Sequence, residues 1–196
     1  MQYQVSAVLL AAGSAKRMGR PKQLLPLGDR TVIEHCIRTI AEAGIRDVVV
    51  VLQPDAGDIA AAVHALPVKT VFNMQQGSEM AESVRTGLEA VSPGATGILL
   101  CLADHPLVMP ETMRSLTALH TAHPGSIIIP SFNRRRGHPT LFPLRIIRDI
   151  RAQHTLRDVI SAHEKEIMYL NADDEGVLLD MDNPSDYELV LGRFSR

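Results

Sequence analysis

Four short stretches of the sequence carry residue types that could do chemistry. The first is Leu10-Ala11-Ala12-Gly13-Ser14-Ala15-Lys16-Arg17-Met18-Gly19-Arg20-Pro21-Lys22. Small residues and glycine let a backbone approach an anion closely, and consecutive N–H groups can form an anion-binding nest. Arg17 and Lys22 add two cations to the same loop, suited to a chain of phosphates. Neither common phosphate loop fits. A P-loop needs G-x-x-x-x-G-K-S/T, whereas five residues separate Gly13 from Gly19 and Arg20-Pro21 follows. The dinucleotide pattern G-x-G-x-x-G is absent, because Ser14-Ala15 follows Gly13. The plainer alternative is a strand-to-helix turn carrying two incidental surface cations.

The second stretch is Leu100-Cys101-Leu102-Ala103-Asp104-His105-Pro106. A carboxylate directly after an apolar strand lies at the carboxyl edge of a sheet, where α/β folds bind ligands. Asp104 is a hard ligand of the kind that holds Mg²⁺, which takes one or two carboxylates plus substrate phosphates. It stands too far from the helix expected near Pro110 to be that helix's cap. The third stretch is Leu178-Leu179-Asp180-Met181-Asp182-Asn183-Pro184-Ser185-Asp186. Asp180 and Asp182 are expected to alternate along a strand, pointing to one side, so that either could complete a metal site with Asp104. Asp186 suits the N-terminus of the helix that follows. The fourth is Arg134-Arg135-Arg136-Gly137-His138-Pro139, a solvated loop or a seat for an anionic acceptor.

Composition narrows the field. The chain has 196 residues, 45% of them apolar, which predicts one domain with room for a sizeable core. Lys and Arg number 20 against 22 Asp and Glu, a net charge of −2, and the pI is about 6.4. A nucleic-acid binder with a broad basic face would be strongly basic. Two cysteines, Cys36 and Cys101, sit in apolar runs, giving neither a disulfide framework nor a zinc module and pointing to a reducing cytoplasm. Cys101 is expected to be an inert core residue. The N-terminus reads as a first strand rather than a signal peptide. Apolar runs fall short of the ~18 residues that span a bilayer. His35, His64, His120, His123, His154 and His163 fall on or beside helical patterns and are assigned no role.

The elements that must position these residues follow from hydrophobic period. Continuous apolar runs predict strands at Val5–Leu10, Val48–Leu52, Val68–Phe72, Ile98–Leu102 and Ile127–Ile129, as in a parallel sheet covered on both faces. Between them, helical spacing predicts Thr31–Ala43, with a Thr31/Glu34 capping box and Gly44 after its end. Further helices are expected over Asp58–Ala65, Met80–Val91, Glu111–Thr121, Leu144–Arg151 and Leu156–His163, and after Asn183-Pro184. The alternation predicts an α/β doubly wound, mostly parallel sheet with helices on both faces. Pro130–Pro143 reads as an inserted loop or ribbon beside the main sheet.

Taken together, Leu10-Ala11-Ala12-Gly13-x-x-x-Arg17-Met18-Gly19-x-x-Lys22 resembles the signature of nucleotidyltransferases that activate small phosphorylated molecules with NTPs. Within that superfamily the sequence resembles the molybdenum cofactor cytidylyltransferase family, which is similar throughout to molybdopterin-guanine dinucleotide synthases. Leu102-Ala103-Asp104-His105-Pro106, Gly137-His138-Pro139 and Asp180-Met181-Asp182-Asn183-Pro184-Ser185-Asp186-Tyr187 extend the resemblance over nearly the whole chain. The resemblance implies a nucleotide-diphospho-sugar-transferase-like fold, with an NTP-binding part over about 1–105 and an acceptor-binding part over about 106–196. Leu10, Ala11, Ala12, Gly13 and Ser83 would contact the nucleotide, Arg17 and Lys22 grip the triphosphate, and Asp104 ligate Mg²⁺ with Asp180 or Asp182. Arg136, Gly137, His138 and Pro139 would meet the acceptor, a molybdopterin-type phosphate. The Ala-Ala-Gly start resembles CTP-using members. Departures are Glu79-Met80 for the relatives' Gly-Met, His105 for their Gln or Met, and Asn183 for their Thr. Two alternatives remain open: transfer to another sugar or alcohol phosphate, and a non-catalytic cofactor carrier that hands its load to a client molybdoenzyme.

Overall fold

The structure is a computed structural model, and it describes residues 4–12, 21–75, 80–150 and 155–195. Gly13 and Arg17, assigned above to the nucleotide, lie outside the described residues. In chain order the strands β1 (Val5–Leu10), β2 (Pro26–Leu27) and β3 (Arg30–Thr31) lead into helix α1 (Val32–Glu42). There follow β4 (Val48–Leu52), α2 (Gly57–Val63), β5 (Lys69–Phe72), α3 (Met80–Ala90), β6 (Gly97–Leu102) and α4 (Pro110–Ala122). The second half holds β7 (Ile127–Phe132), β8 (Arg135–Arg136), β9 (Thr140–Pro143), α5 (Leu144–Ile147), α6 (Leu156–Ala162), β10 (Ile167–Asn171) and α7 (Pro184–Phe194).

Among the described residues the main sheet runs β10-β7-β9-β6-β1-β4-β5, with β8 paired to β7. All neighbours are parallel except β9, which is antiparallel to β6 and β7, and β8, antiparallel to β7. The chain grows outward from β1 through β4 to β5, then returns to place β6 on the other side of β1. The carboxyl ends of β1 and β6 therefore flank a topological switch point, the usual ligand crevice of open α/β sheets.

Side chains of successive strand residues point to opposite faces, so the buried strands feed two cores. Ala7 and Leu9, with Val48, Val50, Leu99 and Cys101, pack under α1, α2, α4 and α7. Val8 and Leu10, with Val49, Val51, Ile98 and Leu100, pack under α3, α5 and α6. The doubly wound expectation holds. The α1 capping box is formed as expected, with Thr31 accepting from the Glu34 N–H and Glu34 from the Thr31 N–H, and Gly44 follows at φ +88°. Asn183 caps α7 in the same manner.

Two expectations change. The interval Pro130–Pro143 is a ribbon only in its first half, where Asn133 and Arg134 turn at positive φ between β7 and β8. Its second half is β9, which lies inside the sheet with Leu141 and Phe142 buried. A run of four residues ended by Pro143 carries too short a pattern to be read as a strand, and only its two neighbours reveal it. The Leu144–Arg151 helix is observed as Leu144–Ile147, while Arg151 lies outside the described residues.

Candidate active site

Beyond β1 the chain is held to its neighbours by backbone bonds. The Ala11 N–H donates to Val51 O at 3.0 Å, and Ala103 N–H, just past β6, donates to Leu10 O at 3.0 Å. Leu10 and Ala11 are buried. The carbonyls of Ala11 and Ala12 are each taken by a side-chain amide, from Gln23 at 3.1 Å and from Gln53 at 3.3 Å. These two glutamines fix the backbone assigned to the nucleotide, and sequence reasoning missed both.

Lys22 opens a single 3-10 turn after Pro21, with Leu24 N–H on Pro21 O and Leu25 N–H on Lys22 O. Leu25 and Leu27 pin the following β2–β3 hairpin into the core, and the Tyr187 hydroxyl on α7 donates to Pro26 O at 2.6 Å. This anchoring aims a lysine inward. Its ammonium donates to Asp104 Oδ2 at 2.8 Å and to Asp182 Oδ1 at 2.9 Å. The lysine side chain is 10% exposed, that of Asp104 24% and that of Asp182 50%, so the group is closed on one side and open on the other. Burial pulls the Lys22 pKa down, but the two carboxylates outweigh it and hold the ammonium above its usual value. The trio carries a formal charge of −1. Asp104 Oδ1 is buried with no hydrogen-bond partner among the described residues.

Asp180 and Asp182 do not lie on a strand, contrary to expectation. A 3-10 turn over Glu175–Leu178 precedes them, and Leu179–Asn183 is irregular. Among the described residues no strand pairs there; instead the N–H groups of Asp182 and Asn183 donate to the Asp186 carboxylate, which serves the α7 cap. The alternation survives in burial: Met181 is fully buried between exposed Asp180 and Asp182. Of the two acidic candidates, Asp182 joins Lys22 and Asp104.

Close backbone contacts hold this segment in place. A Cβ at Gly176 would sit 2.1 Å from Leu107 O, and one at Gly137 2.4 Å from Val177 O. Only glycine allows either approach. His138 N–H donates to Val177 O at 2.9 Å and Gly137 N–H to Pro130 O at 2.8 Å. Asp174, buried and unforeseen from sequence, accepts from the Met109 N–H, the Thr112 hydroxyl and the Gly176 N–H. It supplies the polar partner at the start of α4 that Met109 lacks. An Asp-Glu-Gly run ahead of an apolar pair was the only signal for it.

Gly137 and Pro139 are buried, and the His138-Pro139 bond is cis. The His138 ring packs against His105 with centroids 5.2 Å apart, and His105 Nε2 lies 3.9 Å from Asp104 Oδ1. Burial pushes both histidines toward the neutral form, His138 to about 4. Arg136 projects elsewhere: its guanidinium lies 5.1 Å over the Tyr169 ring on β10. Ser83 is buried in the first turn of α3, where its oxygen accepts from Asn73 Nδ2 at 3.0 Å. Cys36 and Cys101 are buried thiols, and burial pushes Cys36 up to about 12 and Cys101 further.

Among the described residues no three His, Cys, Asp or Glu side chains come together in a metal-holding group. The trio fits a divalent cation in a sparser way. Asp104 and Asp182 both reach one cationic position, held by the Lys22 ammonium, and Asp104 has a further buried oxygen without a partner among the described residues. Two carboxylates are what Mg²⁺ takes when phosphates complete its shell. Among the described residues no helix is long and apolar enough to cross a membrane.

A doubly wound sheet whose switch point carries a lysine between two carboxylates is the setting of a protein that handles nucleotides. Residues 7–167 match the family model of the MobA-like NTP transferase domain, and the chain belongs to that family of nucleotidyltransferases. It is similar to nicotine blue oxidoreductase of Paenarthrobacter nicotinovorans, 36% identical over 143 residues that make up 69% of each chain. It is also similar to the purine catabolism protein PucB of Bacillus subtilis, 28% identical over 93% of this chain and 94% of that one. Among solved structures, Rv0371c of Mycobacterium tuberculosis H37Rv superposes with a TM-score of 0.82 at 29% identity, covering 96% of this chain and 98% of that one. Rv0371c has also been solved in complex with manganese.

Proposed function

We propose that this protein transfers a cytidylyl group from CTP to the terminal phosphate of a molybdopterin-type acceptor, releasing pyrophosphate. The observation that carries the reading is the Lys22 ammonium between Asp104 and Asp182 at the β1/β6 crevice. The choice of CTP is supported by the Ala11-Ala12-Gly13 start, and the acceptor by Gly137-His138-Pro139 with Asp180 to Tyr187. The alternative acceptors are other sugar or alcohol phosphates.

An oxygen of the acceptor phosphate attacks the α-phosphorus, and the bond from that phosphorus to the bridging oxygen of the β-phosphate breaks. A phosphate monoester is already nucleophilic near neutral pH, so no side chain need act as nucleophile, and the buried thiols of Cys36 and Cys101 stay out of the reaction. The protein's contribution is position and charge. Lys22 offers its ammonium to the leaving pyrophosphate, with Arg17 beside it in sequence. The Ala11–Ala12 backbone, held by Gln23 and Gln53, offers a rigid seat for base and ribose. Gly137, His138 and Pro139 wall the acceptor side. Asp104 and Asp182 would hold a divalent cation, Mg²⁺ in the cell, whose chemistry is to neutralise phosphate charge as it develops. That Rv0371c has been solved in complex with manganese supports the use of a divalent metal. We place the reaction in the cytoplasm, with the product passed to a client molybdoenzyme.

Thermal stabilisation by CTP, GTP, ATP and UTP, each with and without Mg²⁺, tests the reading. A ligand at a hundredfold excess over Kd stabilises by about 2.7 kcal/mol. The expected result is a CTP-selective, Mg²⁺-dependent shift that Asp104→Asn removes, and pyrophosphate release that Lys22→Ala reduces at least about 100-fold with the fold retained. A flat response to all four nucleotides, or near-normal turnover in Lys22→Ala, would refute it. Redox turnover without pyrophosphate release would favour the activity named for the Paenarthrobacter relative.

A further inference from the structure

The Lys22 ammonium stands where a second cation would have to bind. It meets Asp104 Oδ2 at 2.8 Å and Asp182 Oδ1 at 2.9 Å, the short distances of charge-assisted bonds. Two carboxylates at the carboxyl edge of a sheet would repel each other if left alone, and the lysine neutralises one of the two charges. A divalent ion using the same two oxygens cannot sit there with an ammonium already within 3 Å of both, because like charges at that separation oppose each other strongly in a part-buried site.

We propose that Lys22 and a divalent cation compete for Asp104 and Asp182, so that Lys22 keeps the metal position closed until phosphates draw its ammonium away. This rests on the nucleotidyl-transfer reading for the source of the phosphates, but not for the competition itself. The geometry permits the exchange. Asp182 is half exposed on a segment outside any helix or strand, and Lys22 reaches the pair from a short 3-10 turn by a long flexible stem. The nucleotide then supplies both what the lysine moves to and the remaining ligands a metal needs. Metal and nucleotide enter together, and the protein without nucleotide holds metal weakly.

The test is Mn²⁺ binding, followed by the paramagnetic resonance of the free ion, in the absence of nucleotide and acceptor. Wild type is compared with Lys22→Met, which keeps the length and removes the charge, and Lys22→Gln, which keeps a donor. Both variants are expected to bind Mn²⁺ at least about tenfold more tightly than wild type, and Lys22→Met/Asp104→Asn to lose the gain. Equal or weaker binding in the folded single variants overturns the proposal. Should those variants fail to fold, wild type decides alone. Acylation of Lys22 by acetic anhydride, read by peptide mass spectrometry, is expected to speed up when Mn²⁺ is added, and an unchanged or slower rate overturns the proposal. Tighter Mn²⁺ binding with no pyrophosphate release from any NTP would sink the proposed function and leave the competition standing. The reverse pattern would do the opposite.

Discussion

Replacing Gly137 by alanine probes how the Gly137-His138-Pro139 loop, proposed above to meet the acceptor, is locked to the acidic segment. A Cβ at this position would lie 2.4 Å from Val177 O, 2.7 Å from Val177 Cγ2 and 2.8 Å from the Val177 carbonyl carbon. The closest atoms are backbone, so no rotamer relieves them. Ordinary contact begins at 3.4 Å, and the two chains must part by about 1 Å. The bond that parts is His138 N–H to Val177 O, 2.9 Å in the structure. Overpacking of this kind costs about 1–3 kcal/mol and a lost hydrogen bond about 1 kcal/mol more. For a chain of this size each kcal/mol lowers Tm by about 2–4 °C, so a fall of roughly 5–15 °C is expected.

The functional effect should be larger than the stability effect. Val177 leads through buried Met181 to Asp182, and a shift there moves the carboxylate off Lys22. A displacement of about 1 Å in a positioning element can cost about 100-fold in rate. Turnover, measured as pyrophosphate release well below the variant's melting temperature, should fall by about that factor. The KM for nucleotide should change little, because the Ala11–Ala12 backbone is held independently by Gln23 and Gln53. Gly192→Ala on α7, where nothing among the described residues lies within 4 Å of an added Cβ, is the matched control and should leave turnover unchanged and stability no lower. Turnover within about threefold of wild type in Gly137→Ala would refute the argument that these backbones position Asp182.

Two further predictions concern pH. Asp47 is buried at the opposite edge of the sheet, and although burial alone would raise its pKa, hydrogen bonds from Lys69, Ser6 and the Ser92 N–H bring it down to about 2. The unfolded carboxyl titrates near 3.8, so its contribution of about 2 kcal/mol is complete above that pH and disappears as pH falls through about 2. Urea midpoints of Asp47→Asn should be lower than wild type at pH 6, with the gap closing by pH 2; a constant gap would contradict this. His138 is pushed to about 4, first by burial and then by its neighbour His105. Because the unfolded imidazole protonates near 6.5, stability should decline from pH 6.5 to 4, by up to about 3 kcal/mol from this group, and level off below. His138→Phe should flatten that decline in thermal melts, and an unchanged slope would remove His138 as its source.

What was legible in the sequence had a local cause. Thr31 with Glu34, and Asn183 with Asp186, announce their helices because a cap needs only residues three apart. Val48–Leu52 reads as a strand because burial on both faces makes every position apolar. Lys22 and Asp104 could be picked out from residue type and position at the edge of β1 and β6, and they meet in space. What stayed hidden depends on partners distant in sequence. Gln23 and Gln53 have no pattern of their own and become meaningful only beside the Ala11 and Ala12 carbonyls. Asp174 serves an α4 N-terminus that lies 65 residues earlier. β10 escaped because Ile167–Asn171 is a partly exposed edge strand with no full apolar run. Asp182 was one of two acidic candidates, and it is the one that meets Lys22, but from an irregular segment rather than a strand.

The two halves of the crevice are built by different means, and this bears on how each can vary. At the ends of β1 and β6, Leu10, Ala11 and Ala103 continue parallel strands, held by ladder bonds and packed between two cores. A substitution there disturbs the sheet itself. Across the crevice, the Gly137 loop and the 174–182 segment are held by Asp174, by two glycine contacts and by single backbone bonds, with no strand pairing between them. This frame reaches the core through Val177 and Met181, both fully buried, but has no ladder of its own. Asp182 belongs to this half, whereas Asp104 belongs to the ladder-held one, and Lys22 joins them. The carboxylate pair therefore closes only when the 174–182 segment is correctly seated on the β1/β6 edge, which makes Lys22 the point at which a shift of that segment reaches Asp104.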